Sequence, residues 1–286
     1  MNGIIIVNKE QGYTSRDVVN KISKLYNTKK VGHTGTLDPI AEGVLIICLN
    51  KALKIAEFIT AYDKEYIAKL KLGYETDTLD ITGTVTKKSN IKVNKQQVEE
   101  VLNHFKGKIK QTVPLYSAVK INGKKLYEYA RQNIEVELPS RIVEIYNIEL
   151  LDFNEQEQNL TIKVHVSKGT YIRSLIRDIG NELKTYATME NLIRTNQAGI
   201  DIKNASTLKE IEENKHKIYS IKEILNIPTI TIKDNKILNK IKNSCNIDLN
   251  NNEDKVLILD NDQNEIAIYQ KNNDTYKILK MINNNP

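Results

Sequence analysis

Cysteine is scarce, with Cys48 and Cys245 the only two in 286 residues, far apart along the chain. No C-x-x-C, no paired histidines and no carboxylate-rich calcium loop occur, so a structural metal is not expected. Cys48 falls inside an apolar run and reads as a small buried hydrophobe. No uninterrupted apolar stretch approaches the length needed to span a bilayer. The opening MNGIIIVNKEQG has neither a charged leader nor a cleavage site, so no signal peptide is read and the cytoplasm is the expected compartment. There is no Walker loop, hence no nucleotide cofactor is expected.

Apolar residues make up 40% of the chain, enough for a core, and the length suits one large domain plus a small one. Net charge is +6, a modest basic bias compatible with a polyanionic partner.

The most informative stretch is VGHTGTLDPIAEGVLIICLN, residues 31 to 50. Gly32 and Gly35 loosen the backbone, and Pro39 pushes Asp38 out of the helical region, onto an extended loop. Val44–Leu49 then reads as a buried strand. A carboxylate on a stiff loop at the lip of a sheet is well placed for chemistry, although Asp-Pro alone reads first as a turn in which Asp38 caps its own backbone.

Around it, Ile4–Val7 reads as a short strand, and Thr14-x-x-Asp17 as the cap of a helix burying Val18, Ile22 and Leu25. Ala52, Ile55, Ala56 and Ile59 predict one face of a short helix. Tyr66, Ala68, Leu70 and Leu72 alternate with Ile67, Lys69 and Lys71, a half-buried strand. Asp77 and Asp80 follow in a Thr-rich turn, as caps rather than cation ligands. Residues 94 to 105 predict an amphipathic helix. In 111 to 132, Lys120, Lys124, Lys125 and Arg131 interleave with Tyr116, Tyr127 and Tyr129; this is either a looped-RNA surface or a Lys-rich hairpin with packing tyrosines. Leu160, Ile162, Val164 and Val166 form another strand, running into a helix with Leu175, Ile176, Ile179 and Leu183 inward. Tyr171 and Arg173 share a direction if the chain stays extended there and diverge if the helix begins earlier. Beyond Pro228, a linker, Asp234 caps a helix bearing Ile237, Leu238 and Ile241, and three strands follow.

The string G-H-T-G-T-L-D-P-x-A-x-G-V-L, from Gly32 to Leu45, closely resembles the signature of the TruB family of tRNA pseudouridine synthases. Further blocks resemble the same family: Lys9, Gly12, Thr14 and Ser15 (with Glu10 where the family has proline), Lys-x-Tyr66 with L-G-x-x-T-D-T-x-D, S-K-G-T-Y-I-R-x-L, and, imperfectly, Leu192-x-Arg194. The resemblance implies an α+β fold with a mixed, mainly antiparallel sheet flanked by helices. It also implies a catalytic domain over 1–228, with an RNA-gripping insertion at about 113–145, and a small β-rich PUA-like RNA-binding domain over 229–286. On pattern alone, a generic β-rich cap fits that last segment as well.

The implied activity is isomerisation of uridine 55 in the tRNA T-loop to pseudouridine by a stand-alone monomer with no obligate protein partner. The insertion argues against a guide-RNA-dependent subunit; a non-catalytic RNA-remodelling protein is the other alternative. The implied roles are Asp38 as the catalytic carboxylate, Arg173 as its charge partner and Tyr66 packing on the target uracil. Tyr171 would contact the target nucleotide, and His33 would fill the place the base vacates. Leu192 is a pocket wall, and Lys120, Lys124 and Arg131 grip RNA. Lys9 joins the RNA-facing group as a brace for the Asp38 loop rather than a surface lysine. The isomerisation breaks N1–C1′, turns the base and joins C5 to C1′, with no redox step and no hydrolysis. It therefore requires neither metal nor cofactor, and one carboxylate can serve.

Overall fold

The computed structural model describes residues 2–283. They fold as two compact units that do not follow chain order. One comprises the chain up to Pro39, Gly43–Ala61 and everything from Ile200; the other comprises Ile40–Glu42 and Tyr62–Gly199.

In the first unit the Gly3–Lys9 strand lies between Glu42–Leu49 and Ile218–Tyr219, antiparallel to both. Val31–His33 pairs with Leu49–Ile47. Val44–Leu49 is wholly buried, and burial pushes the Cys48 thiol up to about 12. The Ser15–Leu25 helix begins at a capping box in which the Thr14 side chain accepts from the Asp17 N–H and Asp17 caps the Thr14 N–H. Its inward face is Ser15, Val18, Val19 and Ile22. Leu25, expected inside, is 41% exposed at the last position of the helix. The expected helix over 52–59 is a 3₁₀ turn, Asn50–Ile55, leading into Ala56–Thr60.

The C-terminal part of this unit carries its own four-stranded sheet. Thr229–Thr231 runs parallel to Lys255–Leu259 across the Asn235–Lys242 helix, and Glu265–Asn272 and Thr275–Met281 complete it antiparallel. Ile241, Val256, Ile258, Ile266, Tyr269 and Tyr276 fill its core. The sheet is tied back by Lys280 to Glu57 (2.6 Å) and by the Lys222 N–H to Glu265 (2.8 Å).

The second unit is an antiparallel sheet in the order Ala187–Gln197, Lys64–Leu72, Asn159–Val166, Ser140–Asn154, Gly107–Thr112. Lys64–Leu72 and Asn159–Val166 alternate between buried and open positions as their sequences predict. The Lys95–His104 and Ile172–Glu182 helices pack against the sheet. Among the described residues no helix is long and apolar enough to cross a membrane.

Gly180, in the second of these helices, is pressed onto the start of Ala187–Gln197. A Cβ there would sit 2.4 Å from the Ala187 nitrogen and 2.5 Å from the Tyr186 carbonyl carbon. In an open helix, glycine to alanine stabilises by about 0.5–1 kcal/mol. Here backbone must move, so Gly180→Ala is expected to lose about 1–3 kcal/mol instead. Urea unfolding monitored by circular dichroism gives the sign.

Candidate functional site

Asp38 lies on an irregular segment between Val31–His33 and Glu42–Leu49, partly exposed, next to the buried Leu37. The N-terminal turn holds this segment on both sides of the carboxylate. The Ser15 hydroxyl donates to the Leu37 carbonyl (3.1 Å) and accepts from the Leu37 N–H (2.8 Å). The Gly12 N–H donates to the Pro39 carbonyl (2.9 Å), and Gly12 itself sits at φ +86°, a conformation natural to glycine. Upstream, the Thr34 carbonyl accepts from the Thr60 hydroxyl (2.9 Å), and His33 Nδ1 accepts from the Gly35 N–H (3.3 Å). The loop is therefore rigid with Glu10 in place of proline.

Lys9 is fully buried, and its ammonium donates to the carbonyls of Glu10 (3.0 Å) and Tyr13 (2.8 Å). A cation so placed ties the N-terminal turn together. Its full burial is in keeping with the brace and leaves no exposed surface to offer a phosphate.

In the other unit, Tyr66 is buried on Lys64–Leu72, with Arg194 directly across on Ala187–Gln197 and Leu192 across from Ala68. Residues opposite one another share a face of the sheet, so Tyr66, Leu192 and Arg194 form one patch. Arg194, 1% exposed, is the largest of the fully buried side chains, a prominence its place in an imperfect motif does not reveal. Lys64 lies on the same face, donates to the Tyr62 carbonyl (2.6 Å), and has its ammonium pushed down to about 8 by burial and by the Arg194 charge. Because the folded value lies below the unfolded one, the unfolded chain binds the extra proton between the two. Lys64 thus opposes folding most fully below pH ~8, and its contribution to stability rises as pH climbs from there towards the ordinary lysine range. The Lys64 ¹³Cε chemical shift is expected to titrate near pH 8, not with the surface lysines.

The Ile172–Glu182 helix begins immediately after Tyr171, so Tyr171 and Arg173 diverge. Arg173 turns inward. Nη1 donates to the Thr78 carbonyl (2.9 Å), Nη2 donates to the Tyr116 carbonyl (3.0 Å), and Asp80 Oδ2 is 4.0 Å from Nη1. Asp80 is fixed in turn, its Oδ1 accepting from the hydroxyls of Thr78 (2.9 Å) and Thr82 (2.5 Å) and from the Thr82 N–H (3.0 Å). The Thr-rich turn is thus capped as its sequence suggests, and it also buttresses the arginine.

The Tyr171 backbone is clasped by Gln111, whose side chain accepts from the Tyr171 N–H (2.8 Å) and donates to its carbonyl (3.1 Å). The Arg141 guanidinium stacks 5.2 Å from the Tyr171 ring centroid. Sequence reading missed Gln111 and Arg141, since a lone glutamine and a strand-edge arginine carry no local pattern.

Lys120–Ile121 and Lys124–Lys125 form a two-stranded ribbon closed by Asn122–Gly123, with φ of +51° and +81°, and Leu126–Arg131 is helical. Lys120 and Arg131 are exposed and Lys124 is partly so. Lys124 Nζ lies 4.7 Å from the Tyr129 ring centroid, while Lys125 Nζ (5.4 Å) and Arg131 Cζ (5.3 Å) flank Tyr127. Ala130 of this segment also lines a cavity of about 740 Å³, together with Asp77, Leu115, Tyr116 and residues 133–138.

Comparison with known proteins places the chain. The family pattern described as TruB family pseudouridylate synthase (N terminal domain) matches residues 23–172. A Clostridium tetani protein named tRNA pseudouridine synthase B is 42% identical, with 99% of this chain and 100% of that one covered. A protein of the same name from Caldanaerobacter subterraneus subsp. tengcongensis is 41% identical, over 87% and 89%. Among solved structures, a chain of a Cbf5–Nop10–Gar1 complex superposes with a TM-score of 0.73 at 25% identity, covering 98% of this chain and 85% of that one. That likeness gives the fold, a pseudouridine synthase core with C-terminal strands. By sequence over half its length and by similarity over nearly all of it, the chain belongs to the TruB family of pseudouridylate synthases.

Proposed function

We propose that the protein is a stand-alone tRNA pseudouridine synthase that isomerises uridine 55 of the T-loop in the cytoplasm, as a monomer and without cofactor. The observation that carries this reading is Asp38, partly exposed on a loop pinned at Leu37 and Pro39, inside the stretch that resembles the family signature. The relatives named above supply the substrate class.

In this reading the target uridine is everted from the folded loop. Tyr66 packs on its face, with Leu192 as a wall beside it. Asp38 attacks, or removes a proton, as N1–C1′ breaks. The freed uracil turns within the pocket, and C5 joins C1′ as the C5 proton leaves. Arg173 supplies the positive charge that stabilises the Asp38 carboxylate where water is excluded, Tyr171 borders the nucleotide, and His33 fills the gap left in the RNA loop. Lys120, Lys124 and Arg131 hold the backbone, and residues 229–286 act as a PUA-like module on the same RNA.

The test uses purified protein and a tRNA transcript carrying 5-tritiated uridine. Tritium release with no added RNA, protein or metal is expected, with the modified base mapping to position 55. Release only upon adding a guide RNA and protein partners would replace this reading with a guide-dependent subunit. Salt-sensitive binding without release would replace it with a remodelling protein.

A further inference from the structure

The cations of the 120–131 segment are arranged in a way that their presumed task alone does not explain. Lys120 and Lys125 are directly opposed in the ribbon, and like charges so placed repel. Among the described residues no salt bridge involves Lys120, Lys124, Lys125 or Arg131. The carboxylate nearest in sequence, Glu128, instead uses Oε2 to accept from the Lys125 N–H. Two rings hold the charges in place, with Gln132 Oε1 also accepting from Lys124 Nζ. Tyr127 has Lys125 and Arg131 against it and also accepts from Lys125 Nζ through its hydroxyl (3.2 Å). Tyr129 has Lys124 over its face and anchors itself through its hydroxyl to the Ile121 carbonyl (3.0 Å). The segment is knit below by buried Leu126, whose N–H donates to the Val119 carbonyl (2.8 Å), and by the Tyr127 N–H to the Ser117 carbonyl (3.1 Å).

A ring face covered by its own chain's cation is not open to a nucleobase. We propose that Tyr127 and Tyr129 are positioning residues that hold Lys124, Lys125 and Arg131 as a preformed clamp for consecutive phosphates of an RNA backbone, indifferent to base identity. Clustering like charges is unfavourable in the free protein, and polyanion binding relieves it. The quadrupole of each ring fixes its cation's direction, so less side-chain freedom is lost when phosphate arrives. The proposal rests on the tRNA reading above and assigns sequence selection to other parts of the molecule.

The test is a double-mutant cycle on the full chain, using a tRNA transcript and affinities measured across a potassium chloride series. Tyr127→Met, which keeps apolar volume but loses the ring, is expected to weaken binding about three- to fivefold at moderate salt. It should also flatten the dependence of log Kd on log salt by about one phosphate contact. In an Arg131→Gln, Lys125→Gln background the same change is expected to have almost no effect, and Tyr127→Phe, which keeps the ring but loses the hydroxyl that accepts from Lys125, is expected to lose less affinity than Tyr127→Met. Equal loss in both backgrounds with an unchanged salt slope is the signature of base stacking and overturns the proposal, as does no loss at all. If Tyr127→Met does not fold by circular dichroism, the Arg131→Gln, Lys125→Gln protein decides alone. Its loss of affinity must be the same for transcripts with purine or pyrimidine at each T-loop position, and base-dependent loss refutes the clamp. Wild-type protein that binds tRNA with no salt dependence would instead remove the tRNA reading itself, an outcome visible before any variant is compared.

Discussion

Asp38→Asn is expected to lower turnover of 5-tritiated tRNA by about a thousandfold or more, equivalent to ~4 kcal/mol of transition-state stabilisation, while tRNA affinity stays within about twofold. The amide is nearly isosteric, and backbone contacts on both sides of the carboxylate, at Leu37 and Pro39, remain available to hold this loop, with Ser15 and Gly12 opposite. The loop should therefore keep its shape when the carboxylate is lost. What disappears is a group able to act as nucleophile or base; the next carboxylate along the chain, Glu42, belongs to the following strand and not to the loop. Single-turnover release, with binding measured separately, distinguishes lost chemistry from lost folding. Undiminished release would remove Asp38 from the mechanism.

Arg173→Lys is the second large effect. The guanidinium reaches two carbonyls at once, those of Thr78 and Tyr116, with Asp80 alongside. An ammonium keeps the charge but concentrates its donors at one point and cannot span that arrangement. A fall of about a hundredfold in single-turnover rate is expected, about 2.7 kcal/mol. A lower melting temperature should accompany it, because a buried carbonyl left without a donor costs about 1–3 kcal/mol. Affinity for tRNA should change only a few-fold. Equal rates for variant and wild type would show that charge alone, or nothing at this position, is required.

The sequence carried the strands whose two faces differ. Lys64–Leu72 and Asn159–Val166 alternate cleanly, and the Thr14–Asp17 box marks its helix start. It did not carry Gly107–Thr112, in which Ile109 is the single apolar side chain, or Ser140–Asn154, whose outer face leaves Ile142 and Tyr146 exposed and so blurs the period. Thr229–Thr231 is too short to show any period. Around the site, Asp38, Tyr66 and Arg173 stood out because they sit in motifs. Asp80 was legible as a cap, but its place beside Arg173 depends on residues 93 positions apart meeting in space. Gln111 clasping Tyr171 is likewise a long-range contact that no local signal encodes. The direction of Arg173 turned on where one helix begins, and a boundary of one or two residues is what propensity resolves least well.

The hydroxyl of Ser15 grips Leu37 across 22 positions of sequence, which moves mutational sensitivity away from the place where substrate is handled. A substitution in the N-terminal turn need touch no RNA to disorder the carboxylate. The immobilisation of that loop, about 1–2 kcal/mol for each residue fixed, is settled when the polypeptide first folds, so it is not subtracted again at each catalytic encounter. Heat or denaturant that loosens the exposed turn at residues 10–14 should accordingly silence the enzyme before its global unfolding is seen.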